Sequence, residues 1–418
     1  MSEFRFIHCS DLHLDSPFSG LTTVKPELKK GLQEATFRSF ENIISLAISE
    51  KVNAVLIAGD IYDSTDKSLR AQLAFRDGLA RLSEQGIPSF VAHGNHDPMD
   101  TWSASLNWPE KVTVFPSDRV ESFDVNSNGN TLATIYGISY PQKEVYENFA
   151  LRFKRNIKDR ISVGVLHANA GADPNHANYA PCRLDDLVSA KMDYWALGHV
   201  HSRKILRKSS PAIVYCGNSQ ARNFRETGPK GCYVVALQPN QVPEIRFEET
   251  DVFRFYNVDI DISESSSFDG IIRVIVNECE KLVSVTERCK LFIRARIIGR
   301  THLHKELKRE RVLADLSEDI QNRLDGFYLG VWIDFKFETR GVYNIDSLCR
   351  SNEFLADMIH LYGKANESKG LEEIRLILKP VFEKWEGERF LDEISDEELK
   401  GLLSLARGLS LDHLAESD

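Results

Sequence analysis

An α/β fold of layered sheets and helices is predicted by three features of the sequence. Over the first 235 or so residues, apolar runs of strand length alternate with segments of helical periodicity. Runs such as AVLIAGD (54–60) and ISVGVLHA (161–168) are almost wholly apolar, which is typical of strands buried on both faces of a sheet. Many of these runs end at polar residues in glycine-containing loops, which is where such folds build their active sites.

The individual elements follow from these runs. The predicted strands are FRFIHCS (4–10), AVLIAGD (54–60), PSFVAHGN (88–95), TLATIYGI (131–138), ISVGVLHA (161–168), DYWALGH (193–199) and AIVYCGN (212–218). Two segments with apolar residues at helical spacing lie between the first three strands, LQEATFRSFENIISLAISEK (32–51) and SLRAQLAFRDGLARLSEQG (68–86). Gly86 is expected to end the second helix, since glycine commonly follows the last helical turn.

A second, smaller α/β domain is predicted from about residue 251, where the pattern changes. Its predicted elements are a strand FRFYNVDIDI (253–262), a helix SFDGIIRVIVNECEKLVS (267–284), a strand KLFIRARIIG (290–299), a charged helix through ADLSEDIQNRL (314–324) and a strand LGVWIDFKFE (329–338). Its length of about 90 residues is within the usual range for one domain. We therefore expect domains at 1–250, 251–340 and 341–418.

The tail, residues 341–418, is predicted to be helical. In ISDEELKGLLSLARGLS (394–410), Ser395 and Glu398 have the spacing of a capping box, and leucines including Leu402 and Leu409 form an apolar stripe. Short helices of this kind have little core of their own. We therefore expect the stripe either to dock on a partner or to pack back on the rest of the chain.

The formal net charge of −10 comes mostly from this tail, whose 17 acidic and 9 basic residues give −8. The rest of the chain is nearly neutral and contains basic clusters at 152–160, 203–208 and 304–311. Local positive charge is what binding to a phosphate backbone uses, although each cluster alone also fits a solvated helix or loop face. The charge pattern is therefore compatible with a nucleic-acid ligand.

The cysteines and the hydropathy pattern predict a cytoplasmic protein. The seven cysteines are scattered, odd in number and without a CxxC pair, which favours a reducing cytosol over a disulfide framework or a zinc ribbon. The longest apolar runs have the length of strands, so no membrane-spanning segment is predicted. The first residues, MSEFRFIHCSDLHLD, lack the basic and apolar regions of a signal peptide.

Five polar clusters follow apolar runs, and together they predict a binuclear metal site. They are Asp11-Leu-His13, Gly59-Asp60-Ile-Tyr-Asp63, Gly94-Asn95-His96-Asp97, His167 and Gly198-His199-Val-His201. Any one of them also fits a turn or a structural histidine, but five at successive strand ends are specific. Carboxylates, an amide and imidazoles without a thiolate suit a hard or borderline divalent cation such as Mn²⁺.

The chemistry of these groups suggests a role for each. Asp60 is the natural bridging ligand, because a carboxylate has two oxygens and two metal ions about 3.5–4 Å apart can share it. Two such ions can also hold a bridging hydroxide and clamp a phosphate for in-line attack. His199 and His201 alternate on an extended segment and so face one space. His96 is expected to act as the general acid, and Asp97 to orient the loop that carries it.

The five clusters resemble the D-x-H, G-D-x-x-D, G-N-H-D/E, H and G-H-x-H pattern of the calcineurin-like metallophosphoesterase superfamily. Within it, CSDLHLD, GDIYD, GNHDP, GHVH and GNSQARNFRETGPKGCYVV resemble the bacterial SbcD-type DNA repair nucleases, particularly their YhaO-like branch. The resemblance covers at least residues 4–235. It implies a two-sheet sandwich flanked by helices, a small α/β capping domain and C-terminal helices that bind an SbcC-type ATPase.

The same resemblance implies a ligand set and a function. One metal ion would be held by Asp11, His13, Asp60 and His201, and the other by Asp60, Asn95, His167 and His199. The expected function is cleavage of DNA phosphodiester bonds with two divalent cations, most simply Mn²⁺, as cofactors. The expected partners are DNA, the ATPase and a second copy of the chain, with no membrane.

Three alternatives compete with DNA cleavage. Protein phosphatases of the superfamily follow the second motif with D-R-G, whereas this chain has DST at 63–65, which counts against them. A hydrolase of cyclic nucleotides or lipid precursors shares the metal core and is harder to exclude. A scaffold with a structural metal site would not need a spare acid such as His96. Asp63 is predicted either to orient a ligand or to cap a helix.

Overall fold

The computed structural model describes residues 3–18, 26–63, 68–127, 129–171, 177–286, 289–327, 331–382 and 394–414. The chain forms two compact units. The first comprises Met1–Val258, Cys279–Ala295 and Gln321–Asp334, and the second comprises Asp259–Glu278, Arg296–Ile320 and Phe335–Asp418. The boundary between the units runs through the middle segment of the chain, so the three consecutive domains stay a prediction.

The first unit contains a six-stranded sheet that carries most of the predicted site. In hydrogen-bonded order its strands are Glu244–Glu249 (β12), Gly231–Leu237 (β11), Phe4–Cys9 (β1), Ala54–Ala58 (β2), Ser89–Ala92 (β3) and Val112–Val114 (β4). Strands β1 to β4 run parallel, whereas β11 and β12 are antiparallel additions at one edge. The carboxyl ends of β1, β2 and β3 therefore meet at one edge of the sheet.

A second six-stranded sheet supplies the remaining site residues. In hydrogen-bonded order its strands are Glu121–Ser127 (β5), Asn130–Gly137 (β6), Ser162–His167 (β7), Tyr194–Gly198 (β8), Ala212–Tyr215 (β10) and Lys204–Arg207 (β9). Strands β6, β7, β8 and β10 are parallel, and β5 and β9 form antiparallel edges. His167 ends β7, and His199 follows β8 directly.

The two sheets pack face to face, because their strands are apolar on both sides. On β2, Leu56 packs into the core between the sheets, whereas its neighbours Val55 and Ile57 face outward. Two helices, Pro26–Ser49 (α1) and Leu69–Glu84 (α2), supply side chains to that outer cluster, which also contains Ile7 and Val91. A 3₁₀ turn, Phe149–Arg152, and a short helix, Leu184–Ser189 (α3), contribute to the cluster outside the second sheet. The predicted α/β sandwich flanked by helices is confirmed.

The middle segment folds as the sequence predicts, with three strands and two long helices. The strands are Phe253–Asp261 (β13), Lys290–Arg300 (β14) and Val331–Arg340 (β15), which form one sheet in that order. The helices are Phe268–Ser284 (α4), His304–Leu307 (α5) and Glu310–Phe327 (α6). The short helix α5 was not predicted, since four residues do not establish a helical period.

The tail is helical, and its predicted capping box is confirmed. Its helices are Ile345–Ser351 (α7), Glu353–Ala365 (α8), Ser368–Phe382 (α9) and Asp396–Leu414 (α10). At the start of α10 the Ser395 amide donates to Glu398 Oε2 at 2.8 Å, and the Glu398 amide donates to Ser395 Oγ at 3.3 Å. Residues 383–393 and 415–418 of the tail lie outside the described residues. Among the residues that are described, no helix is both long and apolar enough to cross a membrane.

The leucines of α10 differ in exposure. Leu399 and Leu411 are buried, whereas Leu402, Leu405 and Leu409 are exposed. The exposed leucines therefore leave an apolar surface on this helix.

The C-terminal end of α10 is fastened within its own unit through one carboxylate. Arg300 donates to Asp412 Oδ1 at 2.9 Å, and the Tyr343 hydroxyl donates to the same oxygen at 2.7 Å. The tail thus packs partly on the chain's own strands, through contacts that a truncation near residue 340 would remove.

Candidate metal centre

The loops after β1 and β2 are hydrogen-bonded to each other, and this places the first two polar clusters together. The Asp11 amide donates to the Gly59 carbonyl at 3.0 Å, and the His13 amide donates to the Asp60 carbonyl at 3.1 Å. The second sheet joins them where β8 ends, because the His199 amide donates to the Asp11 carboxylate at 3.2 Å. The site therefore lies where the carboxyl ends of the parallel strands of both sheets converge.

Four predicted ligands have backbone conformations that residues other than glycine rarely adopt. Asp11, His13 and Asp60 have φ angles of 51°, 45° and 53°, and His199 has a φ of 98°. A residue in such a region costs about 1–3 kcal/mol and persists only where the surrounding structure enforces it. Strain gathered at four residues of one cluster is a recognised mark of a functional site.

Two glycines of the motifs are required by close contacts around His167. A Cβ atom on Gly198 would lie 1.8 Å from the Ala58 carbonyl oxygen and 2.8 Å from His167 Nδ1. On Gly94 it would lie 2.3 Å from Asp60 Oδ1 and 2.8 Å from His167 Nε2. The glycines of GHVH and GNHD therefore let the backbone approach the site more closely than any side chain allows.

The structure brings Asp11, His13, Asp60 and His201 into one group, in which one ligand atom from each lies within 4.8 Å of the others. We call these four residues the first group. His13 Nε2 and His201 Nε2 are 3.2 Å apart, and His201 Nε2 is 3.7 Å from Asp11 Oδ1. Two nitrogens each about 2.1 Å from one cation, at a right angle, would be about 3 Å apart. The observed spacing fits a shared coordination sphere.

Asn95, His167, His199 and Asp60 form the second group. Asn95 Oδ1 lies 2.9 Å from His167 Nε2 and 3.0 Å from His199 Nδ1, and Asp60 Oδ2 lies 3.4 Å from His167 Nε2. The same Asp60 oxygen is 4.0 Å from His13 Nε2. All seven predicted ligands therefore lie together in two groups that share Asp60, as a bridging carboxylate requires.

The histidines of the first group are held by carboxylates on their far side. His13 Nδ1 donates to Asp63 Oδ1 at 3.1 Å, and His201 Nδ1 donates to Glu226 Oε1 at 2.8 Å. A carboxylate partner fixes the tautomer and makes the opposite nitrogen a better metal ligand. In both rings that opposite nitrogen is the Nε2 that faces the first group.

Main-chain carbonyls hold the histidines of the second group. His167 Nδ1 lies 2.9 Å from the Ala58 carbonyl, and His199 Nε2 lies 2.7 Å from the Ala177 carbonyl. A carbonyl oxygen only accepts, so each of these ring nitrogens carries the hydrogen. The opposite nitrogens, His167 Nε2 and His199 Nδ1, therefore present a lone pair toward Asn95 when the rings are neutral. The donor set and its tautomers fit a pair of divalent cations.

Burial and charge shift the pKa values of these groups in opposite directions. Burial favours the neutral ring of His167, but the charge of Asp60 outweighs it and raises the pKa of His167 to about 9. Burial and the neighbouring His167 lower the pKa of His199 to about 4. The pKa of Asp60 is lowered well below its usual range, mainly by His167 and against the effect of burial. A cation bound at the second group would therefore compete with a proton on His167.

Asp63 connects the predicted general acid to the first group. Its Oδ1 lies 2.7 Å from His96 Nδ1 and 3.1 Å from His13 Nδ1. Burial opposes ionisation, yet these two hydrogen bonds lower the pKa of Asp63 well below its usual range. The N-cap of α2 is Ser68, so the helix-capping alternative for Asp63 is wrong and the orienting one agrees with the geometry.

His96 lies beside the first group, and its side chain is partly exposed. Its side chain is 39% exposed, whereas the His13 side chain beside it is 1% exposed. Burial lowers the pKa of His96, but the hydrogen bond to Asp63 and the charge of Asp60 raise it overall. A raised pKa favours the protonated ring that a general acid needs near neutral pH.

Asp97 is fully buried and supports the loops. Its carboxylate accepts hydrogen bonds from the Ile61 amide at 2.9 Å and the Gly94 amide at 2.8 Å, and from His93 Nδ1 at 3.0 Å. It therefore joins the GNHD loop to the GD loop. Its position agrees with the predicted orienting role, in which it acts on the reaction only through the residues it positions.

The sequence patterns assigned no role to Glu226 and Arg222. Both lie in the segment RNFRETG between β10 and β11, which has no periodicity and matches no ligand pattern. Burial opposes ionisation of Glu226, but His201 and Arg222 lower the pKa of Glu226 well below its usual range. Two signals were available, namely the polar run after β10 and the resemblance of GNSQARNFRETGPKGCYVV, which contains both residues, to SbcD-type nucleases.

Comparisons with known proteins extend these observations. Residues 4–203 match the calcineurin-like phosphoesterase family, and residues 255–340 match the middle domain of the metallophosphoesterase YhaO. The metallophosphoesterase YhaO of Bacillus subtilis is 36% identical to this chain over 282 residues, which cover 68% of this chain and 69% of that protein.

A DNA repair protein and a nuclease subunit are more distantly similar. The DNA double-strand break repair protein Mre11 of Sulfurisphaera tokodaii is 27% identical over 277 residues, which cover 62% of this chain and 66% of that protein. One subunit of the nuclease SbcCD of Bacillus subtilis is 21% identical over 275 residues, which cover 57% of this chain and 67% of that protein.

The family match contains all five polar clusters, from Asp11 to His201, and the middle-domain match covers most of the three-stranded sheet. The matched regions thus coincide with the parts of the fold that carry the metal centre and the middle sheet. The chain therefore belongs to the calcineurin-like metallophosphoesterase family, with a YhaO-type middle domain.

Proposed function

We propose that the chain is a metal-dependent DNA phosphodiesterase, the nuclease subunit of an SbcD-type DNA repair complex. The observation that supports this most directly is the pair of ligand groups sharing Asp60, with His96 beside them. A scaffold with a structural metal site would not need the partly exposed acid. The names of the Mre11 and SbcCD relatives point to DNA as the substrate.

Seven residues hold the cations in this proposal. The first ion is held by Asp11, His13, Asp60 and His201, and the second by Asp60, Asn95, His167 and His199. When bound, two divalent ions supply Lewis-acid stabilisation of the phosphate and a more acidic water molecule. Oxygen and imidazole donors without a thiolate suit a hard or borderline divalent cation, and we propose Mn²⁺.

The chain's own residues complete the reaction. His96 donates a proton to the leaving oxygen, and Asp63 fixes the ring by accepting from its Nδ1 at 2.7 Å. This bond leaves Nε2 as the donating atom. Asp97 maintains the distance between the His96 loop and Asp60 by bonding the amides of both loops.

Charge near the site is compatible with a phosphate backbone. The basic cluster at 203–208 begins two residues after His201 and continues along the edge strand β9. The cluster at 152–160 is partly neutralised, because Arg155 pairs with Asp193 at 3.1 Å and Arg152 with Glu147. We assign backbone binding to 203–208 because this cluster lies next to His201 in the chain.

The partner in this proposal is an SbcC-type ATPase, bound through the tail. The exposed leucines of α10 (Leu402, Leu405 and Leu409) form the apolar surface that a hydrophobic groove of the ATPase would cover. A second copy of the chain is proposed on the likeness to SbcD-type nucleases. A cytoplasmic location is supported by the seven cysteines, all of them within the described residues and none of them in a disulfide.

A substrate panel tests the proposed activity. The full chain is assayed with Mn²⁺ on single- and double-stranded DNA, RNA, bis-p-nitrophenyl phosphate and cyclic nucleotides, with Asp60→Asn as the matched inactive control. We expect Mn²⁺-dependent cleavage of DNA and of the nitrophenyl diester. Activity on cyclic nucleotides with none on DNA would instead favour hydrolysis of a small phosphodiester.

A further inference from the structure

Arg222 contacts both carboxylates that hold the first group's histidines. Its Nη1 donates to Asp63 Oδ2 at 3.2 Å and to Ser16 Oγ at 2.9 Å, and its Nη2 lies 3.6 Å from Glu226 Oε1. Asp63 and Glu226 in turn accept from His13 and His201. One guanidinium therefore joins two carboxylate–histidine pairs that face the same cation position.

We propose that Arg222 is a positioning residue that sets the geometry of the first group and, through it, the affinity of one metal ion. The inference rests on the proposed function in one respect, that this group holds a cation. Arg222 does not touch the cation itself. It acts by keeping Asp63 and Glu226 where they orient His13 and His201.

The negative charge around the first group explains why the guanidinium of Arg222 is needed. Asp11, Asp60, Asp63 and Glu226 each have a carboxylate oxygen within 4.0 Å of His13 or His201, and like charges gathered in this way repel one another. The Arg222 side chain is 14% exposed, so its charge is only weakly screened by water. It therefore offsets the repulsion between Asp63 and Glu226 and holds both in place before any metal ion binds.

The surrounding loop makes Arg222 and Glu226 a preformed unit. The Arg222 amide donates to Glu226 Oε2 at 2.8 Å, and Asn218 Nδ2 donates to the same oxygen at 3.0 Å. Glu226 is thus fixed by its own loop, and Arg222 extends from that loop to Asp63, whose sequence position is 159 residues away. The loop between β10 and β11 and the loop after β2 are joined by this one side chain.

A direct role in phosphate binding agrees less well with the geometry. Arg222 Nε is buried and has no hydrogen-bond partner among the described residues, and the Nη atoms face Ser16, Asp63 and Glu226. An arginine that clamps a phosphate presents its planar fork to the ligand. Here the fork is directed at the protein's own carboxylates.

Titration of the metal-free full chain with Mn²⁺ alone tests the proposal. Isothermal calorimetry, or electron paramagnetic resonance of unbound Mn²⁺, gives the dissociation constant of each ion. We expect Arg222→Gln to weaken one of the two ions by roughly 10–100-fold, which is the usual effect of losing a group that orients a ligand. The matched control is Arg225→Gln, which removes the same charge from an exposed position in the same loop.

Arg222→Lys separates charge from geometry. Lysine keeps the positive charge, but one ammonium cannot span Asp63 and Glu226 as the planar fork does. We expect Arg222→Lys also to weaken the same ion, by less than the glutamine variant. If Arg222→Gln does not fold, as judged by circular dichroism, the lysine variant provides the same comparison.

The histidine ring protons give a readout that does not depend on activity. In ¹⁵N-labelled metal-free protein, the Nδ1–H signals of His13 and His201 are expected to weaken or move in both Arg222 variants, while that of His167 stays unchanged. Unchanged Mn²⁺ constants, or equal weakening of both ions, would overturn the proposal.

Because no nucleic acid is present in these titrations, their outcome is separate from that of the proposed function. Two intact Mn²⁺ sites in a wild-type chain that fails to cut DNA would overturn the DNA activity alone. Wild-type Mn²⁺ constants in Arg222→Gln would overturn the role of Arg222 alone.

Discussion

The histidines of the first group are hydrogen-bonded to carboxylates, whereas those of the second group are hydrogen-bonded to main-chain carbonyls. Asp63 and Glu226 are side chains on loops, held by hydrogen bonds and by Arg222. The Ala58 and Ala177 carbonyls are part of the backbone, and that of Ala58 is fixed by the sheet. The first group can therefore be altered by replacing one supporting side chain. The second changes only if its ligands or the backbone itself change.

This difference also separates two kinds of chemistry. A carboxylate partner makes imidazole a stronger donor than a carbonyl does, so the first group is expected to bind its cation more tightly. Asp63 also contacts His96, so the support of the first cation and the orientation of the general acid depend on one residue. Asp60, which the second group shares, contacts the main chain of the same histidine, because the His96 amide donates to Asp60 Oδ1 at 2.8 Å.

The largest effect is expected where the two groups meet. Asp60→Ala should abolish binding of both metal ions and reduce phosphodiesterase activity to background, because its carboxylate faces both groups. Asp11→Ala should weaken mainly one ion, since Asp11 belongs to the first group alone. Elemental analysis of the purified variants gives the metal content directly.

Asp77→Ala, which replaces an exposed aspartate on α2, is the control for these variants and should retain both ions. Two ions retained in Asp60→Ala would show that Asp60 does not bridge the groups.

Next in size is the effect of removing the general acid. His96→Gln should keep both metal ions and the fold but lose roughly 10²–10⁴-fold in DNA cleavage, the usual contribution of a positioned proton donor. The loss should be smaller for p-nitrophenyl diesters, because nitrophenolate leaves without protonation. Rates on the two substrates, with His360→Gln in the tail as control, make the comparison. An equal loss on both would mean that His96 is not the acid.

A smaller effect is expected at the support of His201. Glu226→Ala should weaken the first ion by about 10–100-fold and leave the second nearly unchanged, since His201 is the one predicted ligand whose described partner is Glu226. Ala177→Ser is the matched change in the second group, and it should have no effect because the accepting carbonyl remains. Both variants are titrated with Mn²⁺. Similar weakening in the two would remove the distinction between side-chain and main-chain support.

His8 differs from the histidines of both groups, because both of its ring nitrogens have partners outside the site. Nδ1 lies 3.0 Å from the Tyr194 hydroxyl and Nε2 lies 3.2 Å from the Leu197 carbonyl, so neither serves a metal ion. Burial lowers the pKa of His8 from 6.5 to about 4. Between pH 6.5 and pH 4, His8 is protonated in the unfolded chain but neutral in the folded chain. The contribution of His8 to the free energy of unfolding is therefore complete above pH 6.5 and falls as the pH drops toward 4.

The full effect of His8 is roughly 3 kcal/mol, of which about 2 kcal/mol is expected between pH 7 and pH 5. Urea unfolding of the metal-free protein at these two pH values measures the change. His8→Gln should lose correspondingly less stability over that interval, because glutamine does not titrate. An identical pH dependence in the two proteins would mean that His8 is not the titrating group.

The smallest effect on catalysis is expected in the tail. Leu402→Asp together with Leu409→Asp changes two exposed positions, so metal binding and diester cleavage should remain as in the wild type. Association with the ATPase should be lost, because buried apolar anchors carry most interface energy. Charge reversal at Glu397 and Glu398 should matter less, although Glu398 also caps α10. Co-purification with the ATPase is the measurement, and retained binding would disprove the docking surface.

Deleting everything after residue 340 is a less clean test than these substitutions. The deletion removes Asp412, which pairs with Arg300 and Arg340 of the middle strands, and also the buried Leu411. From the sequence alone, a chain truncated near residue 340 is predicted to fold and bind metal. The structure makes reduced stability of its second unit an additional outcome.

The sequence alone predicted the layered fold, seven of the twelve strands in its two six-stranded sheets and the seven candidate ligands. It could do so because a strand buried on both faces is a continuous apolar run, and because each motif places its ligands within a few residues of a strand end. The same local signals predicted the capping box at Ser395, since its two bonds span three residues.

Tertiary structure alone decided the supports of those ligands. Glu226 and Arg222 meet His201, Asp63 and Ser16 across as many as 206 residues, and no periodicity or spacing relates positions so far apart. The tail shows the same limit, since Leu399 and Leu402 belong to one apolar stripe in the sequence but are buried and exposed, respectively, in the fold. Local sequence specifies which ligands follow a strand, whereas packing between distant segments specifies which side chains form hydrogen bonds to those ligands.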